Sequence, residues 1–233
     1  MRQPHPATWV VFDAYGTLFD VASATRRAAA GPDHAAIADK AEVLGRLWRD
    51  KQIAYSWWRA VTGRHADFWQ VTLDALDHAL DSLDLAAEPG LRDALATLYR
   101  QLDAYREVPR TLSRLRAAGR RTAILSNGSP DMLSAAIESA GIGAELDAVL
   151  SVEEVGVFKP DPRVYELVGA RLGPAPGDVL FVSANGWDAA AAAAYGFRTV
   201  WVNRAGAAPE RLPGAPAHVV ADLTTIPDLA ASP

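Results

Sequence analysis

In Trp9-Val10-Val11-Phe12-Asp13-Ala14-Tyr15-Gly16-Thr17-Leu18, four apolar residues run without a break into an aspartate, and a glycine follows three positions on. An unbroken apolar run of this length suits a strand buried on both faces of a parallel sheet. The same grammar recurs downstream. Arg121-Thr122-Ala123-Ile124-Leu125 ends at Ser126-Asn127-Gly128, Val179-Leu180-Phe181-Val182 ends at Ser183, and Thr199-Val200-Trp201-Val202 ends at Asn203. Helical segments lie between and after these runs: Pro109 to Ala118, Pro130 to Ala140, Pro162 to Leu172 and Trp187 to Tyr195, each followed by a glycine. Proline early in a helix and glycine just past its end are start and stop signals. Strand and helix alternate, which predicts an α/β fold with a doubly wound, Rossmann-like parallel sheet.

The stretch from about residue 20 to 104 breaks this rhythm and holds no good strand. Asp33 is placed to cap a helix running through about Val61, with Ile37, Ala41, Leu44, Trp48 and Tyr55 at helical spacing. Further helices fit Ala66 to Leu83 and Pro89 to Gln101, and Trp57, Trp58 and Trp69 read as packing within this module. The expected organisation is an α/β core from residues 1–20 and 105–233, with a helical cap, residues 21–104, inserted after the first strand. The tail after Gly206 is rich in Pro and Ala and offers one short strand candidate, His218-Val219-Val220.

Composition narrows the function. Twenty-eight acids against 23 bases give a net charge of −5, which leaves no basic footprint for nucleic acid. There are no cysteines, so thiolate catalysis, zinc–thiolate sites and disulfides are out. Residues 1–8 have no apolar leader core, and no apolar stretch approaches a membrane span. A cytoplasmic location is the expectation.

Ligands bind at the carboxyl ends of the strands in open parallel sheets. The polar residues there are Asp13, Ser126-Asn127 and the group Ser183, Asn185 and Asp188, with Lys159 in the loop before the Pro162 helix. In this order, Phe12-Asp13-Ala14-Tyr15-Gly16-Thr17-Leu18, Ile124-Leu125-Ser126-Asn127-Gly128, Lys159-Pro160-Asp161 and Ser183-Ala184-Asn185-Gly186-Trp187-Asp188 resemble the four motifs of the haloacid dehalogenase superfamily. The resemblance covers nearly the whole chain. Phosphatases of that superfamily carry a second Asp two residues after the first, to protonate the leaving alcohol. Tyr15 stands there, and it is a poor acid at neutral pH. Ser183 and Asn185 stand where acids would help hold magnesium, and hard cations want several anionic oxygens. A halide leaves without a proton, so losing the acid and the metal together suits dehalogenation. The first and fourth motifs are similar to those of the type II L-2-haloacid dehalogenases.

The resemblance implies a metal- and cofactor-free hydrolysis of short L-2-haloacids to D-2-hydroxy acids through an aspartyl ester, in a homodimer. Fluoroacetate, L-azetidine-2-carboxylate and a magnesium-dependent phosphatase reaction are the alternatives. Asp13 is the expected nucleophile, and Lys159 the cation that keeps it ionised. Ser126 suits the substrate carboxylate and Asn127 the halide. Thr17, Ser183, Asn185 and Asp188 form a polar ring that aims and activates water. Arg49, in Leu47-Trp48-Arg49-Asp50, reads on spacing alone as a surface partner of Glu42 or Asp50, and the resemblance turns it toward the halide. Tyr15, Phe68, Tyr165 and Trp187 match pocket-lining positions.

Overall fold

The computed structural model describes residues 6–232. The expectation about a leader in residues 1–5 therefore lies outside the described residues. A six-stranded sheet contains β1 (Trp9–Phe12), β2 (Arg121–Ser126), β3 (Ala148–Ser151), β4 (Val179–Ser183), β5 (Arg198–Val202) and β6 (His218–Val220), in the order β3-β2-β1-β4-β5-β6. Every neighbouring pair is parallel. The order reverses at β1, which sits between β2 and β4 with Phe12 opposite both Ile124 and Val182. That switch point opens a crevice at the carboxyl edge, directly after Phe12.

The central strands are mostly apolar because both faces are covered. Val10, Val11, Phe12, Ile124, Leu180 and Val182 have no solvent exposure. Each such side chain contributes about 1.5–3 kcal/mol relative to exposure. Helices α5 (Val108–Ala117), α6 (Pro130–Ala140), α7 (Pro162–Leu172), α8 (Gly186–Tyr195) and α9 (Ile226–Ala231) accompany the sheet. Gly141, Gly173 and Gly196 close their helices in the left-handed conformation, as the stop signals require.

Between β1 and α5 lie α1 (Ser23–Ala30), α2 (Ala41–Thr62), α3 (Phe68–Ser82) and α4 (Leu91–Arg100). α2 packs along α3, with Leu44, Trp48, Val71 and Ala75 buried, and the Trp48 indole donates to the Thr72 carbonyl at 2.8 Å. Two expectations about this module need correction. Asp33 caps nothing: residues Pro32–Ile37 form a 3₁₀ turn, and α2 starts only at Ala41, behind Lys40. A proline directly after Gly31 suits that separate short turn better than continuation of one long helix. Nor do Trp57 and Trp58 pack within the module, since Trp58 is 72% exposed and Trp57 meets Trp187 of α8 edge-on at 5.3 Å. Among the described residues no helix is long and apolar enough to cross a membrane.

Candidate active site

Asp13 leaves β1 at the switch point, its backbone N–H on the Val182 carbonyl at 2.9 Å. The chain then turns sharply. Thr17, Leu18 and Phe19 all donate to the Ala14 carbonyl, and Gly16 supplies the φ of +90° that the turn requires. This turn brings Thr17 back over Asp13. The Thr17 hydroxyl donates to Asp13 Oδ2 at 2.9 Å and accepts from the Ala184 N–H at 2.8 Å, which ties the loop after β1 to the loop after β4.

Asp13 Oδ2 also accepts from Asn185 Nδ2 at 2.9 Å, and Oδ1 accepts from the Lys159 ammonium at 3.1 Å. Lys159 reaches on to Asp188 Oδ2 at 2.9 Å, and the Tyr165 hydroxyl donates to Asp188 Oδ1 at 2.7 Å. Two carboxylates thus share one buried ammonium. Burial works against the Lys159 charge, but Asp13 and Asp188 outweigh it and hold the ammonium above the ordinary lysine range. Burial, with the Asp13 charge added, pushes Asp188 up against the pull of Lys159. Asp188 is therefore held above the ordinary carboxylate range.

Ser126 ends β2, and its hydroxyl accepts from Gly128 N–H at 3.0 Å. The Asn127 side-chain oxygen accepts from Lys159 N–H at 2.9 Å, which fixes the lysine loop to the β2 loop. Gly128 has no room for a side chain: a Cβ there would lie 2.7 Å from the Tyr15 ring. That ring stacks on Tyr99 at 5.7 Å and meets Phe68 at 6.3 Å. Burial pushes the Tyr15 hydroxyl well above its ordinary value, so it is no proton donor for a leaving group.

Arg49 comes down from α2. One terminal nitrogen donates to the Tyr15 carbonyl at 3.1 Å and to Asn185 Oδ1 at 3.3 Å. The other donates to Gln52 Oε1 at 2.7 Å. Neither surface partner offered by the sequence takes it: Glu42 pairs with Arg46, and among the described residues no carboxylate bridges Arg49. A guanidinium held only by neutral groups keeps its full charge for an anion in the cavity.

Asp13, Tyr15, Arg49, Phe68, Ser126, Asn127, Lys159, Asn185 and Trp187 share the lining of this one cavity. Thr17, Ser183, Tyr165 and Asp188 stand behind it. Ser183 Oγ accepts from the Asn185 N–H at 3.1 Å, and Tyr165 reaches the site only through Asp188. Ile53 and Ser56 line the cavity too, and Gln52 braces Arg49. Sequence reasoning passed over all three, although they lie three, four and seven residues after Arg49, on its helical face.

The residues offer a divalent cation a poor set. In the last motif Ser183 and Asn185 are neutral, and both Asp13 and Asp188 are already engaged by Lys159. No cluster of three or more His, Cys, Asp or Glu side chains suited to a metal is found among the described residues.

A carboxylate at a strand end, held by three donors and faced by an uncompensated guanidinium, defines a site for nucleophilic displacement of an anionic leaving group. The family model of the haloacid dehalogenase-like hydrolases matches residues 8–196, and the chain belongs to that family. It is 43% identical to (S)-2-haloacid dehalogenase 1 of Pseudomonas sp. over 224 residues, 96% of each chain. It is 46% identical to (S)-2-haloacid dehalogenase 4A of Burkholderia cepacia over 200 residues, covering 86% of this chain and 84% of the relative. The structure of the Xanthobacter autotrophicus L-2-haloacid dehalogenase with chloropropionic acid covalently bound superposes with a TM-score of 0.86 at 38% identity, covering 96% of this chain and 98% of that one.

Proposed function

We propose that this protein hydrolyses short L-2-haloacids to D-2-hydroxy acids through an ester on Asp13. The observation that carries this reading is that Asp13, held by three donors, shares the lining of the cavity with Arg49, which has no carboxylate partner among the described residues. The covalently bound chloropropionic acid in the Xanthobacter autotrophicus enzyme supports it.

Oδ2 of Asp13 takes two donors and Oδ1 only the ammonium, so Oδ1 has the freer lone pair. Oδ1 bonds to C2 from the face opposite the halogen. The C–X electron pair leaves with the halide, toward Arg49 and Asn127. Ser126 and the backbone N–H groups ahead of α6 hold the substrate carboxylate. Water then adds to the Asp13 carbonyl carbon and gives a proton to Asp188. Thr17, Asn185 and Lys159 steady the developing oxyanion. The acyl–oxygen bond breaks, the departing alkoxide takes the proton held on Asp188, and the 2-hydroxy acid leaves with an Asp13 oxygen; the Asp13 carboxylate is restored with an oxygen from water, whose remaining proton passes to solvent.

The cavity as it stands is only about 10 Å³, close to what one water occupies. Substrate entry therefore requires α2 to draw back from the sheet edge, and the segment 21–104 acts as a cap that shuts water out once the halo acid is in. A homodimer in the cytoplasm completes this reading.

Halide release from L-2-chloropropionate, measured beside phosphate release from an aryl phosphate, tests it. Chloride without phosphate is expected, and phosphate without chloride would overturn it. Activity is expected to survive dialysis against EDTA with no metal added back, because the donor set suits a cation poorly; loss restored by magnesium would contradict this. Arg49→Lys is expected to slow halide release by about a hundredfold, since the compact, hydrated ammonium loses the planar fork. A near-normal rate in that variant would remove Arg49 from the halide.

A further inference from the structure

Gln52 is a polar side chain at the centre of the helical module, 1% exposed, with no contact to the cavity. Its Oε1 accepts from Arg49 at 2.7 Å and from the Tyr99 hydroxyl at 3.1 Å, which uses both lone pairs. Its Nε2 donates to Thr72 Oγ1 at 2.7 Å. The Thr72 hydroxyl spends its own proton on the Phe68 carbonyl at 2.7 Å, so toward Gln52 it only accepts. The amide orientation is thus set from both ends: flipped, it would aim N–H groups at a guanidinium and an oxygen at an acceptor. Burial pushes Tyr99 above its ordinary value, which keeps it a neutral donor. The whole brace carries no charge.

We propose that Gln52 is the positioning residue for Arg49, a neutral clamp that fixes the guanidinium over Asp13 while leaving its charge uncompensated for the departing halide. A glutamate of the same reach would hold Arg49 as firmly. It would also pair with it in a dry site, where an ion pair is strong, and the halide would meet a neutralised partner. Buried amide and hydroxyl groups from α2, α3 and α4 converge on Arg49, Thr72 through Gln52 and Tyr99 both through Gln52 and beside the guanidinium itself, so the packing of the module sets where the guanidinium sits.

This inference rests on the reading of Arg49 as the halide partner. The test uses Gln52→Glu and Gln52→Met in the full-length protein, with thermal unfolding to confirm folding. Two readouts are compared: halide release from 2-chloropropionate in a single turnover, and inhibition by added sodium bromide. Gln52→Glu is expected to slow single-turnover release by about thirtyfold or more and weaken bromide inhibition about tenfold. Gln52→Met, which loosens the clamp but adds no charge, is expected to lose less in both. Wild-type rate and bromide affinity in folded Gln52→Glu would overturn the proposal, as would losses in Gln52→Met as large as those in Gln52→Glu. If Gln52→Glu does not fold, Thr72→Val decides. It removes only the acceptor that orients the amide and is expected to lower both readouts about threefold, and no change in either would overturn the proposal. An inactive wild-type protein would instead sink the dehalogenase reading itself.

Discussion

Asp13→Asn is expected to lower kcat/KM for L-2-chloropropionate by at least about four orders of magnitude while leaving the fold intact. The amide nitrogen's lone pair is delocalised into the carbonyl, and the neutral amide oxygen is a weak nucleophile. The loss is larger than that of a single lost hydrogen bond because the residue carries both half-reactions: no ester forms, so there is nothing for water to open. The donors around it remain. Thr17 and Asn185 lie at 2.9 Å from the oxygen that the amide retains. Steady-state halide release with the variant, purified under conditions that exclude deamidation, checks this. A loss under tenfold would remove Asp13 from the covalent step.

Lys159→Met is expected to abolish activity and to cost the fold more than the first change does, because Lys159 keeps Asp188 as a partner when Asp13 is neutral. Lys159 is 1% exposed, and its ammonium is the cation shared by Asp13 and Asp188. Removing one partner of a buried ion pair typically costs about 3–5 kcal/mol, because the remaining charge is left without compensation. For a chain of this size that lowers Tm by roughly 6–20 °C. The pH dependence carries the diagnosis. Burial and the Asp13 charge already push Asp188 up, and Lys159 is the group that pulls it down. Without the lysine the folded-state value rises further above the unfolded one. A raised carboxyl stabilises the fold when protonated, so the deficit is largest at high pH and shrinks as pH falls through the folded value. Adding Asp188→Asn to the variant should recover much of the lost Tm without recovering activity. A Tm for Lys159→Met equal to that of the wild type at pH 8 would show that the triad does not stabilise the fold.

Much of this architecture is legible in the amino-acid sequence. β1, β2, β4 and β5 announce themselves because strands covered on both faces need unbroken apolar runs. Their polar ends mark the switch point, and Asp13, Lys159, Asn185 and Asp188 do converge there within hydrogen-bonding reach. β3 escaped notice: Ala148–Ser151 is four residues long, lies at the sheet edge, and leaves Val149 41% exposed, so it has neither the length nor the apolar density of its neighbours. α1 and α9 are short and sit in Ala- and Pro-rich sequence, where apolar periodicity is faint. Asp33 showed the limit of local signals, since a capping residue two positions after a glycine and directly behind a proline was taken up by a 3₁₀ turn. The site behind the cavity was least legible. Gln52 and Thr72 look like ordinary polar residues of amphipathic helices, and only the packing of α2 on α3 turns them inward toward Arg49. Arg49 itself is one helical step from the buried Trp48, which left its direction open until the loop after β1 was seen to meet it through the Tyr15 carbonyl.

The account stands on Asp13 becoming esterified, as against Asp13 directing water straight onto C2. A carboxylate already aligned with the reacting carbon in a closed site can draw about 7–11 kcal/mol of barrier lowering from that alignment. The two routes send oxygen to different places. In a single turnover in oxygen-18 water with enzyme in excess, mass spectrometry of the hydroxy acid and of the peptide containing Asp13 separates them. The account predicts an unlabelled 2-hydroxy acid and one heavy oxygen on Asp13. Heavy oxygen in the first-turnover product, with Asp13 unlabelled, would contradict it.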